Sequence, residues 1–158
     1  PRPARIPLSD AQCRLWFIHR FERSAGGEDA TYNMPMPVRL RGALDVDALQ
    51  AALNDLAARH DILRTRFPED AEGPYQEILD LAHARIPLLR SNAVPHRIEE
   101  AMIADGRAGF DLTCDLPMRA HLYAPAPDTH LLLVVLHHIA GDGSSLAPLA
   151  RDLGAAYN

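Results

Sequence analysis

Apolar positions along this chain follow two periods, and the switches between them mark out its elements. From Ser9, a good helix N-cap, Ala11, Leu15 and Ile18 fall on one face of a helix that runs to about Glu22. Residues 24–33 read as a loop. Met36, Val38 and Leu40 then alternate with Pro37, Arg39 and Arg41, the period of a half-buried strand, and Pro37 puts that strand's start or an edge here. Behind Asp45 the spacing returns to three and four at Val46, Leu49, Leu53 and Leu56, which predicts a capped helix over about 46–60. Short strands are expected near 62–67, 75–80 and 86–90, broken by Glu72-Gly73-Pro74 and by 80–85. Pro95 suits the first turn of a third helix that runs to about Ala104, with Gly106 and Gly109 ending it.

Met118, Ala120 and Leu122 alternate again, and Pro125-Ala126-Pro127-Asp128 turns the chain. The run from His130 to His138 has no polar alternation, which predicts a central strand covered on both faces. Gly141 to Gly143 make a turn, Ser144 or Ser145 caps a last helix, and Leu146, Leu149 and Leu153 form its stripe. Interleaved helices and hairpins of this kind predict an α/β sandwich (α+β), a mixed β-sheet packed with helices. Residues 1–7, rich in proline and arginine, read as a linker, with one folded unit over 8–158.

Composition narrows the classes. The 158 residues are enough for one domain with a real core, and 47% hydrophobic with 23% charged residues is ordinary for a globular protein. The net charge of −5 comes with no basic block, which argues against nucleic acid and anionic membranes as partners. The longest apolar run, 131–136, is too short for a bilayer and no signal peptide opens the chain, so a cytoplasmic protein is expected. Cys13 and Cys114 are too few for a disulfide or zinc framework.

The candidate chemistry is concentrated in His137-His138-Ile139-Ala140-Gly141-Asp142-Gly143. Successive strand residues face opposite ways, so one of the two histidines faces a cavity and the other is buried, which argues against a metal site using both. A histidine at a strand end can serve as a base or position a nucleophile at neutral pH. Asp142 either orients that histidine or pairs with an arginine to hold the turn. Gly141 and Gly143 permit positive φ and close backbone approach, and amides at the start of the next helix are candidates to stabilise an oxyanion. No Gly-x-Ser-x-Gly elbow is present, and Ser144 and Ser145 look like caps, so the expected reaction is direct transfer: a bound amine or hydroxyl attacks an activated acyl group. The alternative is a buried, satisfied histidine pair beside a glycine turn.

This signature resembles that of the condensation domains of nonribosomal peptide synthetases and, more distantly, of the chloramphenicol-acetyltransferase-like acyltransferases. Further segments match in the family's order: Ser9 to Phe17, Thr31 to Pro35, Arg59 to Phe67, Phe110 to Leu112, and Leu116 to Ala120. The resemblance covers about residues 7–158 and implies a chloramphenicol-acetyltransferase-like lobe. It implies that His138 faces the substrate channel and is catalytic with the Gly143 amide, while His137 is structural. It also implies that Asp142 is structural and pairs with Arg64, so that losing Asp142 should hurt folding as much as chemistry. Arg14 and Ser144 are implied channel residues. The family reaction joins a donor acyl or peptidyl thioester to an acceptor aminoacyl amine. No cofactor is bound directly; both substrates ride on the 4′-phosphopantetheine arms of carrier domains. Donor and acceptor carriers, a C-terminal lobe and adjacent synthetase domains are the implied partners.

Ser144 stands where the family often has tryptophan, and Asp61 where glutamate is common. The family fold has two lobes with the substrate tunnel between them, and this span resembles the first alone, so little turnover is expected from it in isolation. Two other functions stay open: an acyl-CoA-dependent acyltransferase of the same superfamily, and a non-catalytic docking module for a carrier or a tailoring enzyme. An epimerase relative ranks below these, and a cyclising relative is disfavoured because those replace the histidines with aspartates.

Overall fold

The computed structural model describes residues 5–24 and 30–158. Its centre is a mixed sheet of four strands: β2 (Asn33–Arg41), β8 (Thr129–His137), β7 (Met118–Ala126) and β6 (Leu88–Arg90), in that spatial order. β8 pairs antiparallel with both β2 and β7, and β6 joins β7 in parallel. β2 lies at the sheet edge, as its prolines require, because the ring nitrogens of Pro35 and Pro37 have no hydrogen to give a ladder.

Residues 132–137 of β8 are all buried, and 132–136 divide between two apolar clusters. Leu132, Val134 and Leu136 meet α2 (Val46–Arg59) and α4 (Leu146–Tyr157) through Leu49, Leu53, Leu56, Leu149 and Leu153. Leu133 and Val135 meet α1 (Asp10–Ser24) and α3 (Ile98–Arg107) through Trp16 and Ile98. A strand sandwiched in this way has no polar face to present, which explains its unbroken apolar run.

The predicted stripe of α2 is buried, and Asp45 caps it by accepting the Ala48 amide at 2.9 Å. Ser9 likewise caps α1, its hydroxyl accepting from the Gln12 amide while the Gln12 side chain reaches back to the Ser9 amide. The buried face of α1, however, is not the predicted one. Trp16 and His19 are buried, whereas Ala11 and Ile18 point outward. The Trp16 indole has more area to bury than Leu15, and its Nε1–H donates to the Phe67 carbonyl at 3.0 Å, which fixes the helix rotation.

A second, smaller sheet holds β1 (Ile6–Pro7), β3 (Thr65–Arg66), β4 (Glu69–Asp70) and β5 (Gly73–Ile78). Here the linker expectation needs correction. Ile6 and Pro7 pair with Gln76 and Tyr75, Arg5 binds Asp70, and Leu8 is buried, so these residues are tied into the fold; residues 1–4 lie outside the described part. The strand expected over 62–67 is a 3-10 turn over Asp61–Arg64 followed by the two residues of β3. α3 continues past the expected stop, with Gly106 buried inside it against Pro35, where a Cβ would sit 3.5 Å from the proline Cβ.

Candidate active site

β8 ends at His137, and the chain breaks into a 3-10 turn over His138–Ala140. The two histidines therefore part company. His137 is 1% exposed and packs edge-on against the His19 ring at 5.4 Å and the Phe110 ring at 5.9 Å. His138 is exposed, its backbone N–H held by the Tyr32 carbonyl at 2.9 Å and its ring edge-on to the Tyr32 ring. The fold thus buries one imidazole and leaves the other exposed.

His137 supports its neighbour through the backbone. Its Nδ1 accepts the Ile139 amide at 3.1 Å, and its own N–H donates to the Pro117 carbonyl at 2.8 Å. Only a neutral ring can accept at Nδ1. Burial, with the charges of His19, His138 and Arg119 added, lowers the His137 pKa to about 3. Burial and then Arg23 lower that of His19 to about 4, with Asp111 opposing. Both rings are thus neutral at physiological pH. The Gln12 side chain donates to the Ile139 carbonyl at 3.5 Å, so α1 braces the same turn.

Asp142 departs from its expected role. One carboxylate oxygen accepts from the Ser144 amide at 2.9 Å and hydroxyl at 2.6 Å, and from the Ser145 amide at 3.2 Å and hydroxyl at 3.1 Å. The Ser145 hydroxyl in turn accepts the Asp142 amide, which closes a capping box over the 3-10 turn Gly143–Ser145 that opens α4. Asp142 is therefore the cap, and the serines donate to it. These hydrogen bonds, that of the Ser144 hydroxyl foremost, hold its carboxyl below the ordinary range. Arg64 points elsewhere, to the Asp61 carboxylate and the Leu79 carbonyl. The expected Asp142–Arg64 pair is not formed: an aspartate directly before four helical amides finds nearer donors than a distant guanidinium.

Neither glycine of the turn adopts the left-handed region that only glycine enters freely. Gly141 is extended at φ 175°, and its hydrogen is needed for proximity: a Cβ there would lie 3.0 Å from Ser145 Oγ and 3.3 Å from Leu136 Cδ2. Around Gly143 nothing lies within 4 Å of an added Cβ, so this position is open. The Ser144 and Ser145 amides belong to the Asp142 cap, which leaves the Gly143 amide as the one at the start of the turn outside it. Arg14 is exposed on α1 and makes no hydrogen bond or ion pair with the turn among the described residues. Ser144 is exposed and lines, with His60, Ile62, Leu136 and Leu149, a pocket of about 320 Å³ beside the turn. Sequence reasoning missed His19, Gln12 and Tyr32. The helical spacing of Gln12, Trp16 and His19 was the available signal, hidden by the stronger hydrophobicity of Leu15 and Ile18.

Among the described residues no three His, Cys, Asp or Glu side chains gather as metal ligands, both cysteines are free thiols, and no helix is long and apolar enough to cross a membrane.

The profile of the Condensation domain family matches residues 4–158, and the chain belongs to that family. It is similar to the dimodular nonribosomal peptide synthase of Bacillus subtilis, 47% identical over 156 residues, and to the isonitrile lipopeptide synthase of Mycobacterium tuberculosis, 44% identical over 159. Each alignment takes in 99% of this chain but only 6% of the relative. The X-domain from teicoplanin biosynthesis superposes with a TM-score of 0.86 at 41% identity, covering 99% of this chain and 33% of that one. The fold is the chloramphenicol-acetyltransferase-like one of condensation domains.

Proposed function

We propose that these residues form the histidine-bearing lobe of a condensation catalyst that makes amide bonds in nonribosomal peptide synthesis. The observation that carries this reading is the exposed His138 on a turn whose every neighbour is braced: the neutral buried His137, the Tyr32 carbonyl, Gln12 and the Asp142 cap. Such a scaffold fixes an imidazole without burying it, as a group that must meet a delivered substrate requires. The acceptor amine attacks the donor thioester carbonyl; the C–N bond forms, the C–S bond breaks, and the amine proton passes by way of His138 to the departing thiolate. In this reading the Gly143 amide donates to the developing oxyanion. Alignment supplies much of the rate, since effective molarities of well-oriented reactants reach ~10⁵–10⁸ M.

Both acyl groups arrive on phosphopantetheine arms of donor and acceptor carrier domains, with neighbouring synthetase domains beside them in the cytoplasm. The solved X-domain chain is about three times as long as the part this chain matches. Accordingly these residues alone turn over little or not at all, the other wall of the tunnel coming from a C-terminal lobe.

The test is single-turnover condensation followed by intact-protein mass spectrometry, in the synthetase that carries these residues, with loaded donor and acceptor carriers. The donor mass should move to the acceptor carrier, and His138→Ala should slow this ~10²–10⁴-fold. Transfer that is indifferent to His138→Ala overturns the assignment. A docking module is the second reading, favoured by the related X-domain, which has been solved in complex with OxyB. It gains if the intact synthetase fails to transfer while a carrier or tailoring protein binds this lobe.

A further inference from the structure

Away from His138, on the β6 side of the sheet, lies a pocket of about 360 Å³ with an unusual charge balance. Arg66, Arg85, Arg119 and His83 line it, against the single carboxylate of Asp115. That is a local excess of positive charge in a chain whose net charge is −5. Asp115 is already engaged, its carboxylate accepting the Asp111 amide at 2.7 Å. Arg119 spends its terminal nitrogens on the carbonyls of Asp105, Ala108 and Gly109 and lies 4.0 Å over the Phe110 ring. Arg66 and Arg85 have no such commitments: neither is in an ion pair among the described residues. The Arg66 Nε is buried with no hydrogen-bond partner at all.

A buried, orphaned guanidinium nitrogen is costly, and native structures that keep one usually have a water or an ion to answer it. Two uncommitted guanidiniums and an imidazole facing one cavity match a multi-oxygen anion better than a lone carboxylate, because the planar fork pairs two oxygens at once. The cavity also exceeds what a bare oxyanion fills, and its remaining wall, apart from the Cys114 thiol, is apolar: Pro87, Leu89, Phe110 and Leu116. We infer that this pocket is a binding site for a phosphate ester, with the phosphate on Arg66, Arg85 and His83 and its organic part against the apolar wall. The site is independent of the condensation reading and stands or falls without it.

Isothermal titration calorimetry of the 158-residue chain at fixed ionic strength tests this, with inorganic phosphate, 4′-phosphopantetheine and phosphate-free pantetheine as probes. Saturable one-to-one binding of a phosphate-bearing probe is expected, with none of pantetheine. Arg66→Gln and Arg85→Gln should each weaken it by about tenfold or more, as loss of a charge-assisted hydrogen bond does. Arg97→Gln, which breaks only the exposed pair with Glu100, should leave it unchanged. Arg85 is exposed, so Arg85→Gln remains a valid test even where Arg66→Gln impairs folding. Tighter binding of phosphopantetheine than of inorganic phosphate is the result expected of an ester whose organic part meets the apolar wall; equal affinity for the two overturns the ester and leaves a free oxyanion. No saturable binding of either phosphate probe, or binding that survives both substitutions, overturns the inference.

Discussion

At the scale of single residues, the two glycines of the signature differ in what they do. Gly141 has no room for a side chain, since a methyl group would press on Ser145 and break the Ser145 half of the capping box. Gly141→Ala should destabilise the chain by about 1–3 kcal/mol, the usual cost of overpacking. Gly143 has open space and no left-handed φ, so Gly143→Ala should leave stability within about 0.5 kcal/mol of the parent. Urea unfolding of the pair separates them, and equal losses would show that the turn is held by something other than the Gly141 contact. If Gly143→Ala also slows condensation in the intact synthetase, the loss lies in the site and not in the fold.

At the scale of elements, the capped start of α4 and the strand β1 each carry a prediction. Asp142 holds Ser144 and Ser145 and shares no partner with Arg64, which holds Asp61 and Leu79. Asp142→Ala should therefore lower Tm, Asp142→Asn should restore most of it because an amide oxygen still caps, and the losses from Asp142→Ala and Arg64→Ala should add. Non-additive losses would restore the direct pair. β1 gives the second case. Removing residues 1–7 deletes the ladder to β5 and the Arg5–Asp70 pair, so Tm should fall. An unchanged Tm would return these residues to the status of a linker.

At the scale of the whole molecule, the buried pair His19 and His137 ties stability to pH. Both folded pKa values, about 4 and about 3, lie below the ordinary 6.5. Above about pH 6.5 the rings are neutral in both folded and unfolded chains and cost nothing. As pH falls below that, the unfolded chain takes up protons that the folded one refuses, so stability falls by up to about 1.4 kcal/mol per pH unit for each histidine. Chemical denaturation between about pH 7 and about pH 4.5 should show this slope, and His19→Leu should reduce it. A flat profile over that range would mean that the rings are charged or exposed in the folded state.

The sequence by itself determined the four long helices, the strands β2, β7 and β8 and the central place of β8, and it narrowed β2 to a strand start or an edge, because periodicity and proline act locally along the chain; the short strands β1 and β4 and the 3-10 turn before β3 carry too few residues to show a period. It also determined that His137 and His138 would separate, since a strand end forces adjacent side chains apart, and the motifs it carries were enough to point to the condensation family. Tertiary structure decided the rest. The rotation of α1 depended on where the Trp16 indole could find both an apolar bed and the Phe67 carbonyl, and neither is visible from the helix alone. The partner of Asp142 depended on a competition between adjacent amides and a distant guanidinium, which only the folded geometry resolves. The neutral His19–His137 pair is made by two rings far apart in sequence that burial brings together between α1 and β8, and the uncommitted Arg66 and Arg85 meet at one pocket from β3 and the segment before β6.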